Sequence, residues 1–356
     1  MEIKMTVFKC VLLTFLLVCA IAVSFSKKLL NSVLIFMGYS LVMSVIWMLL
    51  ESPDLAITEA AVGAGITSVL FFVTLNRIHS MFKSETETRK KETAFNVTRF
   101  KRLYAIIAVC FTIFFSFVLV LTVSYMPVTG AADNPSDNEV MEKYIKDGLE
   151  ETGATNIVAG MILDYRAFDT LGESHVLFVA AITVTVLLRL DKKKRKPDDT
   201  MITETIGEAE EQDKIFTPKH DTILQKVSLI LVPIIFVFGI YVILNGHLSP
   251  GGGFSGGAII GAGLILYLNA FGFEKTERFF TEKVYKWVSF VALAFYALIK
   301  CYAFFCGANG LDNHIPKGIP GHIFSGGLIL PLNIAVGCVV ACTMYTFYVM
   351  FRKGRH

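Results

Sequence analysis

The chain has 356 residues, of which 54% are hydrophobic and only 18% charged, with 33 Lys and Arg against 30 Asp and Glu. A soluble domain carries about 25% charged residues, and a net charge of +3 is too small to mark a nucleic-acid surface. The charges fall in blocks between long apolar runs, the pattern of a polytopic membrane protein.

In chain order, apolar runs at 5–25, 29–50, 54–75, 103–125, 173–190, 225–244, 254–271, 284–305 and 324–350 are each near or above the ~18 residues that carry a helix across a hydrocarbon core. The short alternating segments of a membrane barrel do not occur. The expected fold is therefore all-α, with about nine transmembrane helices. The first 26 residues also resemble a signal peptide, with a basic start and Ala20-Ile21-Ala22. Removing them would turn the basic loops outward, so they are read as the first span. Loop 76–102 holds Arg77, Lys83, Arg89, Lys90, Lys91, Arg99, Lys101 and Arg102, and 191–196 reads "DKKKRK". The loops around 247–253 and 307–321 hold only Lys317. By the distribution of Lys and Arg, the amino terminus is expected outside and the carboxyl terminus in the cytoplasm.

Between the fourth and fifth runs, "DNPSDNEVMEKYIKDGLEET" predicts a short amphipathic helix over 138–152, capped near Asp137 or Asn138. The mixed-charge stretch 191–221 reads as a cytoplasmic linker. Behind it, P-G-x-x-F-S-G-G occurs twice, at Pro250 to Gly257 and Pro320 to Gly327. Each copy precedes a span of the same direction, so the carboxyl-terminal half is expected to be a parallel repeat of two hairpins. Gly253, Gly257 and Gly261 recur every four residues and line one helix face. Such a face admits a second helix backbone; a broken helix entry lined for ions is the alternative.

Ionisable residues inside spans are costly and point to function. Glu59 lies in the third run, with Gly63 and Gly65 following to let the helix deform. It either relays a cation or proton, or reaches back to the interface. Asp54 sits nearer the turn, with Glu51. Lys300 either snorkels outward or pairs with a buried carboxylate and switches as protons pass. Asp169 and Glu173 in "FDTLGE" either complement a helix dipole or form a polar entrance for ions. His247, Asp312, His314 and His322 do not adopt metal-site spacing. The seven cysteines form no C-x-x-C pair and read as small hydrophobes. No phosphate-loop, nucleophile-elbow or dinucleotide fingerprint occurs, so no catalytic centre is expected in this chain.

Three stretches resemble one family. "SPDLAITEAAVGAGITSVLFF" is similar to the small domain at the carboxyl end of the large A-type component of Mrp-type multisubunit Na+/H+ antiporters, a domain that stands alone in membrane-bound hydrogenases. "ETGATNIVAGMILDYRAFDTLGESHVLF" resembles the next domain of those systems. "ILNGHLSPGGGFSGGAIIGAGLIL" resembles the antiporter's B-type component with its G-H-x-x-P-G-G-G-F-x-G-G motif. The resemblance divides the chain into 1–102 and 103–190, both like the tail of the A-type component, the linker 191–221, and 222–356, like the B-type component. It implies a cation- or proton-transfer role for Glu59, Asp169 and Glu173, and a structural or gating role for Pro250, Gly253, Phe254, Gly256 and Gly257; Gly261, Phe324, Gly326 and Gly327 extend that packing set through the repeat. It further implies antiporter-like membrane subunits as partners, or hydrogenase or ferredoxin-oxidising subunits. Iron–sulfur or nickel–iron centres would sit in those partners, and Na+ or H+ would be the ion moved.

Overall fold

A computed structural model describes residues 2–85, 97–126, 138–188, 221–306 and 315–353. All regular structure among them is helical, and nine helices are long and apolar enough to cross a membrane. The chain forms two compact units, one of residues 1–77 and 147–356, the other of residues 78–146.

The second unit contains α5 (Val97–Ser124) and α6 (Glu139–Lys146). From Leu103 to Ser124, α5 is apolar all round and buries none of that surface within the chain. A helix of this kind is solvated by lipid or by other membrane helices. Asn138 starts α6 by accepting a hydrogen bond from the Met141 amide at 3.0 Å, as its capping residue type predicts. The amphipathic helix expected over 138–152 is broken at Asp147, beyond which α7 (Gly148–Thr152) belongs to the first unit.

In the first unit, α1 (Glu2–Phe25) and α2 (Leu29–Leu49) pack on one another. The third span is not one α-helix. It runs as α3 (Pro53–Thr58), a π-helical segment π1 (Glu59–Thr67) and α4 (Ser68–Glu85). Pro53 pre-sets the first turn, and the wider π turns fall where Gly63 and Gly65 offer no side chain to resist them. Next come α8 (Ile157–Gly160), a second π segment, π2 (Met161–Tyr165), and α9 (Ala167–Leu188). Helix α9 starts at Ala167 rather than near 173, because the polar FDTLGE residues form its first turns, which hydropathy alone reads as loop.

The remaining spans are α10 (Thr222–Leu244), α11 (Gly253–Glu277), α12 (Glu282–Cys306) and α13 (Ile329–Lys353). Asp221 caps α10 through the Leu224 amide at 2.9 Å. Helix α13 is the centre of the unit: 78% of its apolar window is buried, against 50% for α11 and 28% for α10 and α12. It packs against α11, α12, α9 and π2.

The glycine face of α11 lies on α13. A Cβ at Gly253 would overlap the Asn333 carbonyl and lie 2.8 Å from Val336 Cβ; at Gly257 it would come 2.6 Å from the Gly337 carbonyl; at Gly261 it would meet Met344 Cβ at 3.2 Å. As numbers rise along α11 they rise along α13, so the two helices run parallel. The next face carries Gly256, where a Cβ would come 2.8 Å from the Gly239 carbonyl of α10. Close packing, rather than a broken entry, is what this ladder provides.

The second P-G-x-x-F-S-G-G copy behaves differently from the first. Helix α11 begins at Gly253, but α13 begins only at Ile329, not at 324. Gly326 (φ 78°) and Gly327 (φ 52°) are left-handed, and the Gly326 amide donates to Lys317 O at 2.8 Å. The same residues make a helix start once and a tight turn once, because their partners differ.

Candidate ion-path site

Glu59 opens π1 and accepts a hydrogen bond from Ser40 Oγ of α2. Ser40 is fully buried and Glu59 is half-buried. Gly63 makes the contact possible, since a Cβ there would overlap Ser40 Oγ and lie 2.5 Å from Glu59 Oε1. The carboxylate is thus seated within a span, against a hydroxyl that can donate or accept, in a π segment of the kind often found at functional sites.

A second carboxylate lies in π2. Asp164 is 9% exposed and faces Lys300 of α12, itself 3% exposed, with Nζ and Oδ1 3.7 Å apart. That distance is an ion pair but too long for a hydrogen bond, and Asp164 Oδ1 has no hydrogen-bond donor among the described residues. Tyr296, one turn before Lys300, is 1% exposed and donates to Ala167 O at 3.0 Å, pinning α12 to the start of α9. Thr170 Oγ1 donates to Ile162 O at 2.8 Å and ties π2 to α9. Burial pushes the Asp164 carboxyl above its ordinary range, opposed chiefly by the Lys300 ammonium and then by Lys317. Burial, and a hydrogen bond to Glu151, push the neighbouring Tyr165 phenol upward as well. Lys300 therefore pairs with a carboxylate rather than snorkelling. The sequence analysis did not single Asp164 out; the available signal was a charge flanked by "GMIL", an apolar run, rather than by polar residues.

The loop between α10 and α11 is held by a polar knot. Asn156 Nδ2 lies 3.1 Å from Asp54 Oδ1, 3.1 Å from Gly246 O and 3.2 Å from Ser249 O. Its Oδ1 accepts from the Val158 and Ala159 amides and so caps α8. Its backbone amide donates to His247 O at 3.0 Å. Asp54 Oδ1 also accepts from the Gly251 amide at 2.8 Å, and Asn333 Oδ1 from the Gly253 amide at 2.9 Å. Gly251 (φ 143°) and Gly252 (φ 131°) adopt backbone that a side chain would strain. His247 is fully buried beneath, its Nε2 3.3 Å from His322 O. Asp54 is thus committed to the loop. Asp312 and His314 lie outside the described residues, as does the linker before Asp221.

Asp169 and Glu173 are both exposed. Asp169 pairs locally with Arg166, Nε at 2.7 Å and Nη2 at 2.6 Å. Neither acid joins the buried Asp164–Lys300 pair. Pro250 is exposed, Phe254 packs on the main apolar cluster, and Phe324 is 86% exposed.

Three family models match the chain in sequence: MbhD, from the MBH complex, over residues 14–80; MbhE, from the same complex, over 104–205; and MnhB, a domain related to the MnhB subunit of Na+/H+ antiporter, over 223–346. An uncharacterized protein, MJ1307, of Methanocaldococcus jannaschii is 32% identical over 57% of this chain and 80% of its own length. A probable K(+)/H(+) antiporter protein of the fused A/B type from Rhizobium meliloti is 26% identical over 76% of this chain, which spans 27% of that protein. The Mrp complex structure from Dietzia shares the fold over 97% of this chain, with a TM-score of 0.68 at 22% identity, and this chain covers 34% of that one. The archaeal membrane-bound sulfane sulfur reductase (MBS) structure matches 69% of this chain and 96% of its own, with a TM-score of 0.52 and 27% identity. The knot, the buried pair and the π-seated Glu59 join segments matched by all three models. The chain belongs to the Mrp/MBH family of multi-pass membrane subunits, in which MbhD-, MbhE- and MnhB-type segments follow one another.

Proposed function

We propose that the chain is a subunit of an Mrp-type cation/proton antiporter module, contributing to movement of Na+ or H+ and to assembly of the complex. The observation that carries this is Glu59, a carboxylate in a span, hydrogen-bonded to buried Ser40 and given room by Gly63. A charge placed there is expensive unless it serves a path. Asp169 and Glu173, exposed at the start of α9, are suited to a polar entrance for cations. The partners are other antiporter-like membrane subunits and the surrounding lipid, with the amino terminus outside and the carboxyl terminus in the cytoplasm.

The test is cation-driven proton exchange in membrane vesicles from cells carrying the whole complex. Glu59→Gln is expected to lower exchange at least about tenfold, as loss of an intramembrane ionisable group on the path should, with the complex still isolated intact. Exchange at the unsubstituted rate would remove Glu59 from the path.

A second reading is favoured by the MBS match, which spans 96% of that chain. In it the chain belongs to the membrane arm of a redox-driven complex, a hydrogenase or ferredoxin-linked oxidoreductase whose metal centres lie in other subunits. Mass spectrometry of what remains bound to the tagged chain in mild detergent separates the two. Antiporter subunits alone support the first; iron–sulfur subunits alongside them support the second.

A further inference from the structure

We propose that Asp164 and Lys300 form an exchange site at which one alkali cation and one proton replace each other without changing the buried charge. The proposal rests on the antiporter reading and adds a specific step to it. Asp164 and Lys300 come from segments of different family type, and each is buried. The apolar cluster on which Leu163, Tyr296 and Ala303 pack includes Leu332, Val336 and Val339 of α13. An uncompensated charge is costly in such surroundings, so the states open to the site are those that sum to zero.

There are three. In the first, the Lys300 ammonium faces the Asp164 carboxylate. In the second, a proton has moved from Nζ to the carboxyl, leaving a neutral amine beside a neutral acid. In the third, a monovalent cation sits on the carboxylate oxygens and Lys300 is a neutral amine. Passing from the first to the third brings in one cation and releases one proton from Nζ to the path, with no electron moved and no net charge added. The geometry suits the exchange. At 3.7 Å the pair is not locked by a hydrogen bond, and Oδ1 keeps its acceptor capacity.

Other groups bear on the site from the elements around it. Glu151 of α7 and Lys317 of the 315–328 segment oppose one another in their effect on Asp164. Tyr165 of π2 is tied to Glu151, Tyr296 of α12 to Ala167, and Glu173 of α9 is exposed. Helix α13, which also packs on π2, carries its charged residues only in its last turn. The carboxylate therefore has Lys300 as its near counter-charge, and the amine has Asp164.

The experiment is exchange driven by Na+ or K+ in vesicles carrying the full complex, with assembly scored by co-purification. Lys300→Arg keeps the positive charge and the ion pair but holds a proton that cannot be released. It is expected to assemble and to lose exchange about tenfold or more. The double variant Asp164→Asn, Lys300→Gln removes the charge pair together and is likewise expected to assemble without exchange. Were the pair only structural, either variant that assembles would exchange like the unsubstituted complex, and that result overturns the proposal. Failure of both variants to assemble also overturns it, because the pair would then be a folding element. If the two variants exchange normally while Glu59→Gln does not, the antiporter reading stands and this step falls. If the unsubstituted complex exchanges neither cation for protons, both fall.

Discussion

Asn156 has two amide hydrogens and three acceptors within 3.2 Å, drawn from α3 and from two carbonyls of the α10–α11 loop, while its own oxygen caps α8. A group with this many partners is expensive to remove, because each buried partner is left unsatisfied at about 1–3 kcal/mol. Asn156→Ala is therefore expected to destabilise the first unit by about 3 kcal/mol. The check is the melting temperature of the detergent-purified complex, and an unchanged value would show that the knot contributes nothing. Asn156→Asp is expected to be worse, since it places a second carboxylate against Asp54. The same view of side chains explains what the sequence conceals. Asp54 looks like an ion-path acid by position, yet its acceptor oxygen is taken by the Gly251 amide, which lies 197 residues along the chain. Asp164 stands five residues before the more conspicuous Asp169, and only the fold separates a buried acid from one paired locally with Arg166.

At the scale of elements, the glycine ladder gives a graded expectation. Gly257 faces backbone, the Gly337 carbonyl at 2.6 Å from a built Cβ, with Val340 Cβ at 2.9 Å. Gly261 faces the Met344 side chain at 3.2 Å. Backbone cannot step aside, whereas a methionine side chain adjusts. Gly257→Leu is expected to cost about 3 kcal/mol or more through forced separation of α11 and α13. Gly261→Ala is expected to be nearly neutral. Yield and monodispersity of the purified complex read the difference, and equal behaviour of the two would mean that the helices do not pack as described. The spans themselves were legible, because a long apolar run has few other physical solutions than a membrane helix. Their starts were not. Gly253 begins a helix because its amide finds Asn333 Oδ1, 80 residues away, while Gly326 turns because its amide finds Lys317 O. A repeat in sequence fixes which backbone shapes are allowed, and the partner chooses among them. The π character of 59–67 was partly legible, since Gly63 and Gly65 mark a helix that can deform, but the hydroxyl it serves belongs to another helix.

For the whole molecule, the question is what holds the MnhB-type segment to the rest. The bonds across that junction are non-covalent and occur in separate places. Asp54 and Asn156 grip the 246–251 loop, Lys300 pairs with Asp164, Tyr296 bonds Ala167 O, and α9 and π2 pack on the central helix α13. The chain between residues 205 and 223 is the interval separating two family-matched segments. If side-chain contacts rather than the covalent link hold the unit together, the chain can be cut in that interval without loss. Co-expressed pieces, 1–210 and 211–356, are expected to co-purify through a tag on either one and to restore exchange in vesicles to within about twofold of the intact chain. Connecting two surfaces that already fit mainly raises their effective concentration. Pieces that fail to co-purify would show instead that the link is needed to bring the surfaces together. Combining the cut with Asn156→Asp then identifies which contact holds them: loss of co-purification only in the cut chain would assign the holding role to the knot, and retention would assign it to the surfaces around α13.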